Sequence, residues 1–329
     1  MTSAVSVVIP THNRPALLQE ALGSLVAQTM DRWEAIVVDD ASEPPVAIDA
    51  LSEKFGRRLR VIRHDVSRGG AAAKSSGIDA ATAPVVAFLD DDDLFAPTYL
   101  ETALAALKTF PDIDVVFMSV SWFGKWSKSP WAEPAYLRSM ERTLAEVRGA
   151  MIDDNLIAFG GDLFAAMLRS VPMAFQRPVV RHSSLKTIGA YREGCLLWDC
   201  DWAIRAALRG KVALCQERLY CQRTDGNGVS ARRDIELAHH LDSIEMKERL
   251  FAELQNGGEP EHAAIVKEAV AEAWRSLAYY YSLKGRPLSA LSAARTSELR
   301  RPQARKLSYL GRTVLRSLVM KVRAQLSAN

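Results

Sequence analysis

Short runs of aliphatic and β-branched residues mark the first third of the chain: Val5 to Ile9, Ala35 to Val38, Leu59 to Ile62, Val85 to Leu89 and Val115 to Met118. Between them, near Pro15 to Gln28, Val46 to Phe55, Ala71 to Ala81 and Pro97 to Thr109, apolar residues recur at helical spacing. Strand alternating with helix requires crossover connections. This predicts an α/β domain with a doubly wound, mostly parallel sheet, and the nearly unbroken apolar character of the strands predicts burial on both faces. From about Ile235 the pattern turns helical, with Leu237, Leu241, Ile244 and Leu250, then Ala273, Leu277, Tyr280 and Leu283. A C-terminal helical appendage follows from that spacing, either packed on the first domain or mediating a homodimer.

The polar residues cluster where strands end. Pro10-Thr11-His12-Asn13-Arg14-Pro15 follows the first run, Asp39-Asp40-Ala41-Ser42 the second, and Asp90-Asp91-Asp92-Asp93 the fourth. In doubly wound sheets ligands bind beyond the carboxyl ends of the strands, near the switch in strand order, so the three clusters should converge on one edge. Four adjacent carboxylates repel one another unless a cation neutralises them, and a hard divalent ion such as Mg²⁺ or Mn²⁺ suits their oxygens. Each cluster taken alone also fits a helix cap, a turn or a solvated acidic loop.

Composition narrows the classes. The 329 residues are 48% hydrophobic and 25% charged, which fits a globular protein of about two domains. No stretch approaches the ~18 consecutive apolar residues of a membrane span, and residues 1–5 lack the features of a secretory signal, so a cytoplasmic location is expected. A net charge of +3 gives no reason to expect nucleic-acid binding. Cys195, Cys200, Cys215 and Cys221 lack zinc-knuckle spacing and read as reduced thiols. After Glu298 there are no acidic residues, while Arg300, Arg301, Arg305, Lys306, Arg312, Arg316, Lys321 and Arg323 alternate with aliphatic residues. This basic amphipathic profile fits a peripheral membrane surface or a solvated helix end.

Four segments together resemble family 2 glycosyltransferases. The opening Val5-Ser-Val-Val-Ile-Pro-Thr-His-Asn-Arg14 leads to Trp33-Glu-Ala-Ile-Val-Val-Asp-Asp-Ala-Ser42, and Ala73-Lys74-Ser75-Ser76-Gly77-Ile78 stands where the family commonly has Ala-Arg-Asn-x-Gly-Ile. Phe88-Leu89-Asp90-Asp91-Asp92-Asp93 is similar to the family's Leu-Asp-x-Asp-Asp, and the likeness runs from residue 4 to about 230. It implies the GT-A fold over residues 1–232, with a nucleotide-sugar half (1–93) and an acceptor half (94–232), followed by a helical region at 233–329. It further implies that Pro10, Thr11, Asn13 and Arg14 line the nucleoside pocket, that Asp39 contacts base or ribose, and that Lys74 and Asp91 lie near the nucleotide. Asp90 and Asp92 form the Asp-x-Asp element, Asp92 being the stronger candidate for direct metal contact.

Trp198-Asp199-Cys200-Asp201-Trp202-Ala203-Ile204-Arg205 is similar to the family's Glu-Asp-x-Asp-Leu-x-x-Arg, with tryptophan in the glutamate position. The resemblance makes Asp199 the base, while Asp201 reads as a first-turn acid favoured by the helix dipole. Gln222-Arg223-Thr224-Asp225 through Ser230 resembles the closing Tyr-Arg-x-His-x-x-Ser, with Asp225 in the histidine position. Asp225 is therefore a candidate metal ligand, and Arg223 a phosphate partner.

The implied reaction is inverting transfer of a sugar from a nucleotide-diphosphate donor, UDP-sugar first, to a hydroxyl of a glycan or lipid-linked glycan, assisted by Mn²⁺ or Mg²⁺. Rival readings are a sugar nucleotidyltransferase, which would open with a Gly-rich loop absent here, and a non-catalytic nucleotide-sugar-binding protein. Trp122, Phe123, Trp126 and Trp131, interleaved with Lys125 and Lys128, fit either an acceptor surface or a local core. Phe159-Gly160-Gly161-Asp162 reads as a turn because no strand is expected before it.

Overall fold

The computed structural model describes residues 3–47, 56–225 and 235–300, together with 315, 316, 319 and 320. Most of the helix expected over Val46 to Phe55, the closing segment beyond Asp225 and most of the basic stretch after Arg300 lie outside these residues. Contacts divide the chain into two compact units, Met1–Gly194 with Trp198–Gly228, and Cys195–Leu197 with Val229–Asn329. The sequence put the boundary at residue 232 and gave no hint that Cys195–Leu197 belongs with the second unit.

The first unit begins β1 (Val5–Thr11), α1 (Pro15–Val26), β2 (Trp33–Asp39), β3 (Leu59–Arg63), α2 (Gly70–Ala80) and β4 (Val85–Phe88). It continues with β5 (Leu94–Phe95), α3 (Tyr99–Thr109), β6 (Val115–Phe123), α4 (Glu133–Ala145), β7 (Gly149–Asp153), β8 (Leu156–Phe159) and α5 (Asp162–Met167). Last come β9 (Pro178–Arg181), α6 (Leu185–Ile188), α7 (Trp198–Arg209) and β10 (Val212–Arg223). All the strands join one sheet in the order β3-β2-β1-β4-β9-β6-β10-β8-β7, with β5 paired to β10.

The half that opens the chain is parallel throughout: β1 pairs with β2 from Val5↔Trp33 to Thr11↔Asp39, and with β4 from Val5↔Val85 to Val8↔Phe88. Beyond β4 the sheet is mixed. β9 runs antiparallel to both β4 and β6, which leaves β6 and β10 pointing the same way as β1 and β4. The ends of β1, β2, β4, β6 and β10 therefore share one edge. Val5, Val7, Val8 and Ile9 of β1 are fully buried, as the apolar run required. At Gly77 of α2 any Cβ would collide with the Val8 side chain, so glycine sets the close approach of α2 to β1.

Phe159 ends β8, so a strand does lead into Gly160-Gly161, contrary to the sequence expectation. The short α5 follows at once, and the Asp162 carboxylate turns back to accept the Arg148 N–H at 2.7 Å, which makes the segment a turn.

The second unit contains α8 (Ile235–Asn256), α9 (Pro260–Leu283) and α10 (Pro287–Arg300). Ile244, Ala273, Leu277, Ala278, Ala293 and Ala294 form its core, the alanines allowing close helix contact. Leu241 and Leu283, expected on buried faces, are exposed. Asp242 of α8 accepts the N–H groups of Leu196 at 3.0 Å and Leu197 at 2.8 Å, fastening that tripeptide to the helices. No helix among the described residues is long and apolar enough to cross a membrane. Cys195, Cys200, Cys215 and Cys221 are thiols, Cys195 and Cys215 being buried.

Candidate active site

The three polar clusters meet at the shared strand edge. Thr11 ends β1 and donates its hydroxyl to Asp91 Oδ2 at 2.7 Å, while Arg14 Nη1 lies 3.0 Å from both Asp91 Oδ1 and Asp92 Oδ2. The loops after β1 and β2 are tied together by Asn13 N–H to Ser42 Oγ (2.9 Å), Glu43 N–H to Asn13 Oδ1 (2.7 Å) and a His12 Nδ1 contact with the Asp40 carbonyl (2.7 Å). Both loops pass through left-handed backbone, at Asn13 (φ 56°) and Ala41 (φ 61°). That conformation is unfavourable for alanine and recurs at functional sites.

Asp39 and Asp40 build this edge from below. Asp39 is 1% exposed, and its oxygens accept the N–H groups of Ser42 (2.8 Å) and Val46 (3.1 Å) and the Arg63 guanidinium (2.6 Å). The base or ribose contact implied for Asp39 would have to share oxygens already used in holding the turn. Asp40, which the sequence did not single out, takes the Arg68 and Gly69 N–H groups at 2.9 and 2.8 Å and the Ser67 hydroxyl at 2.7 Å, and faces His64 Nδ1. Burial opposes its ionisation, but these donors prevail and hold it down to about 2. The loop before α2 is thereby pinned to β2.

The acidic quartet is enclosed by cations from four elements. Lys74 of α2 is buried, with Nζ 2.7 Å from Asp90 Oδ1 and within 4.4–5.8 Å of the ring centroids of Trp198, Tyr191 and Phe88. Its approach to any nucleotide is therefore indirect, through Asp90. The tryptophan that replaces the family's glutamate caps this ammonium. Arg177, just before β9, reaches Asp90 at 3.7 Å and Asp93 at 3.8 Å and lies over the Tyr220 ring at 4.7 Å. Tyr220 of β10 donates its hydroxyl to Asp93 at 2.9 Å. Arg223 gives its N–H to Asp93 Oδ1 and its Nε–H to the Asp92 carbonyl, each at 2.8 Å, and also pairs with Glu20 and Asp225. Its guanidinium is thus already committed among protein groups.

These neighbours split the four carboxyls. Burial pushes Asp90 up, yet Lys74 and Arg177 outweigh it and hold Asp90 well below the usual carboxylate range. Burial raises Asp91 to about 6 against the pull of Thr11 and Arg14, and it raises Asp92 with help from the Asp90 charge. Asp93 is raised too, by burial first, despite Arg177. Burial thus disfavours the charged form of three of the four carboxyls, and Asp90 alone is held low.

A divalent cation fits that donor set. Asp91 and Asp92 present carboxylate oxygens that already converge on one cationic nitrogen, and hard oxygen ligands are what Mg²⁺ and Mn²⁺ take. Among the described residues no cluster of three or more His, Cys, Asp or Glu groups is arranged to hold a metal, so further ligands would come from donor phosphates and water. Asp90 faces Lys74 and Arg177, with side-chain exposure of 24% against 23% for Asp92. Asp225 Oδ1 accepts the Lys125 N–H at 2.7 Å, and its Oδ2 faces Arg223 at 3.3 Å. It anchors a turn at Gly124 (φ 91°), where a Cβ would strike its carboxylate.

Asp199 opens α7 beside Trp198, with its Oδ1 accepting the Cys200 N–H at 2.8 Å. Burial first raises the pKa of Tyr191, and the charges of Asp90 and Asp199 raise it further. Asp201 points elsewhere and is buried between Arg205 Nε at 2.9 Å and Arg192 Nη1 at 3.0 Å. Those ion pairs, more than the helix dipole inferred from sequence, hold it. Pro10 is half-buried at the end of β1. Of the aromatic segment, Trp122 packs edge-on against Tyr136, while Trp126 and Trp131 are 43% and 58% exposed.

The family profile described as Glycosyl transferase family 2 matches residues 6–172, from the second residue of β1 through the acidic quartet and past α5. This chain belongs to glycosyl transferase family 2. Among proteins of this kind, the succinoglycan biosynthesis protein ExoW of Rhizobium meliloti is 34% identical over 122 residues, which are 36% of this chain and 38% of ExoW. The match thus spans well under two thirds of that relative's length. S. aureus TarS 1–349 in complex with UDP-GlcNAc superposes with a TM-score of 0.66 at 16% identity, covering 99% of this chain and 92% of TarS 1–349. The mannosyltransferase PcManGT of Pyrobaculum calidifontis, in complex with GDP-Man and Mn²⁺, gives 0.53 at 15% identity, over 98% and 88% of the two chains. At such identities the likeness bears on fold, and the architecture is of the GT-A type with several helices after it.

Proposed function

We propose that this family member transfers a sugar from a nucleotide-diphosphate donor, a UDP-sugar in the first instance, to a hydroxyl of a glycan or lipid-linked glycan, with inversion at the anomeric carbon. The observation that carries the reading is the convergence of Thr11, Arg14, Lys74 and the quartet Asp90 to Asp93 on the edge where Asp39 and Asp40 brace the loops. The UDP-GlcNAc bound to TarS and the Mn²⁺ bound to PcManGT support a nucleotide sugar and a divalent ion as its ligands.

Asp92, with Asp91, would hold the ion, which when bound supplies positive charge to the departing diphosphate. Lys74 and Arg177 keep Asp90 ionised and fixed, so the field at the site does not have to reorganise when charge develops. Asp199 takes the acceptor proton as the hydroxyl attacks from the face opposite the leaving group. No covalent sugar intermediate is needed. The exposed Trp126 and Trp131 are suited to stacking on an acceptor ring.

A panel of labelled UDP-, GDP- and dTDP-sugars incubated with Mn²⁺ and glycan acceptors tests the reading. Transfer from one donor class, with inverted product stereochemistry, supports it. Nucleotide-sugar binding with no transfer in the unaltered protein would favour the binding-protein alternative.

A further inference from the structure

We propose that the second unit docks on an anionic lipid surface through the exposed face of α10. Leu288, Leu291, Arg295 and Leu299 follow one another at spacings of three or four along this helix, so they share one stripe about 17 Å long. The three leucines are 82%, 38% and 69% exposed. Arg295 between them is exposed as well, whereas Glu298, the only acid of the helix, is fully buried. The exposed stripe therefore carries leucine and arginine and no acid.

Charge selects the partner of this stripe. The chain has 31 basic and 38 acidic residues before Lys284 but 11 basic and 1 acidic from Lys284 onward, so the overall +3 conceals a strongly basic end. Leu315 and Val319 add apolar side chains that are 63% and 45% exposed, and Arg316 between them lies over the Tyr279 ring of α9 at 4.7 Å. A second copy of this chain would set one basic face against another, which costs free energy. A soluble polyanion would pair with the arginines and leave the leucines in water. An anionic bilayer answers both, with phosphate headgroups for the guanidinium and the acyl boundary for the leucines. The long Arg295 stem can lie along its leucine neighbours while its charged end stays among the headgroups.

Flotation of the full chain with vesicles of phosphatidylcholine containing about one third phosphatidylglycerol, and with phosphatidylcholine alone, reads the docking directly. The unaltered protein should partition onto the anionic vesicles at least about tenfold more than onto the neutral ones, and salt should weaken that preference. Leu288→Gln, Leu291→Gln and Leu299→Gln combined should lower partition onto the anionic vesicles about tenfold, and Arg295→Glu by a similar factor. Neither variant touches the acidic quartet or Asp199, so transfer to a soluble acceptor should be unchanged in both.

If the unaltered protein does not float with anionic vesicles, the inference falls, whatever the transfer assays give. Undiminished flotation of the triple leucine variant overturns it as well, because charge without the stripe would then suffice. Self-association that the leucine substitutions abolish, seen by sedimentation in a protein that ignores vesicles, would assign the stripe to a second copy instead. Should the triple variant not fold, as judged by its circular dichroism, undiminished flotation of Arg295→Glu would itself overturn the inference.

Discussion

Asp90 and Asp93 meet their cations inside the sheet, in Lys74 and Arg177, whereas Asp91 and Asp92 meet theirs at its open edge, in Arg14. Four identical residues in a row thereby do two kinds of work. The inner pair is held by partners that water does not reach, and removing such a partner leaves a charge stranded in low dielectric. In the outer pair both carboxyls are pushed above their usual range, chiefly by burial, as Asp93 is too, so Asp90 alone of the four is held low, by Lys74 and Arg177.

The sharpest way to break this contrast is at Asp92. Asp92→Ala should abolish Mn²⁺-dependent donor binding and transfer while leaving thermal stability close to that of the unaltered protein, as measured by calorimetry and by circular dichroism melts. Unchanged nucleotide affinity would remove Asp92 from the ion site. Next in size, Asp199→Asn should leave donor binding near normal and lower transfer by about a thousandfold, the middle of the range for a general base. A comparable loss in donor affinity would mean that Asp199 belongs to the donor site instead.

At the inner end the expected loss is of stability rather than chemistry. Arg177→Met leaves Asp90 with Lys74 and Asp93 with the Tyr220 hydroxyl and the Arg223 N–H, but removes a buried cation from both, and should cost about 3 kcal/mol in urea denaturation. The double variant Arg177→Met with Asp93→Asn should recover part of that loss, which a double-mutant cycle would quantify. Full additivity of the two substitutions would show that the 3.8 Å contact carries no coupling.

Asp91 adds a pH test at the outer end. Its carboxyl is raised to about 6 from 3.8, so between those pH values the native state binds more protons than the unfolded chain. Stability must then fall as pH rises from about 4 to about 6, by an amount on the order of 3 kcal/mol, and remain lowered above that window. Asp91→Asn should flatten this slope in denaturation curves taken across the window. A slope that persists in the variant would belong to other groups, with Asp93 the first to test.

The difference between the two ends was not legible in the sequence, and the reason is physical. The apolar runs located β1 to β4 and β6, because strands buried on both faces must be apolar whatever their partners are. The carboxyl ends of β1 and β6 were underestimated, since Pro10 and Thr11 and the stretch Ser119 to Phe123 continue pairing while turning polar towards the site. β10 escaped notice because Gln216, Glu217 and Arg218 form an exposed irregularity within it, and β9 because it is four residues long and starts at proline. Arg177 carries no local signal either, as one arginine between Gln176 and Pro178 with no spacing relation to the acids that it neutralises. Family resemblance marked the quartet as a unit, but which carboxyl faces which cation depends on long-range pairing of β4, β9 and β10.

The smallest expected effect concerns the strain at the open edge. Ala41 sits at φ 61°, with its N–H bonded to the Asp39 carbonyl at 2.9 Å, and left-handed backbone costs an L-residue roughly 1–2 kcal/mol. Ala41→Gly relieves that cost but frees the unfolded chain, which returns about 0.4–1 kcal/mol. The balance is a gain of up to about 1.6 kcal/mol, visible as a small rise in melting temperature. If the strained loop serves to present Asn13 and Arg14 at a fixed angle, the stabilised variant should bind UDP more weakly in spite of its higher melting temperature. Opposite movements of stability and affinity would tie the strain to the outer end of the quartet. A gain in stability with affinity untouched would reduce Ala41 to a turn residue whose conformation Asp39 imposes for the sake of the β2 loop alone.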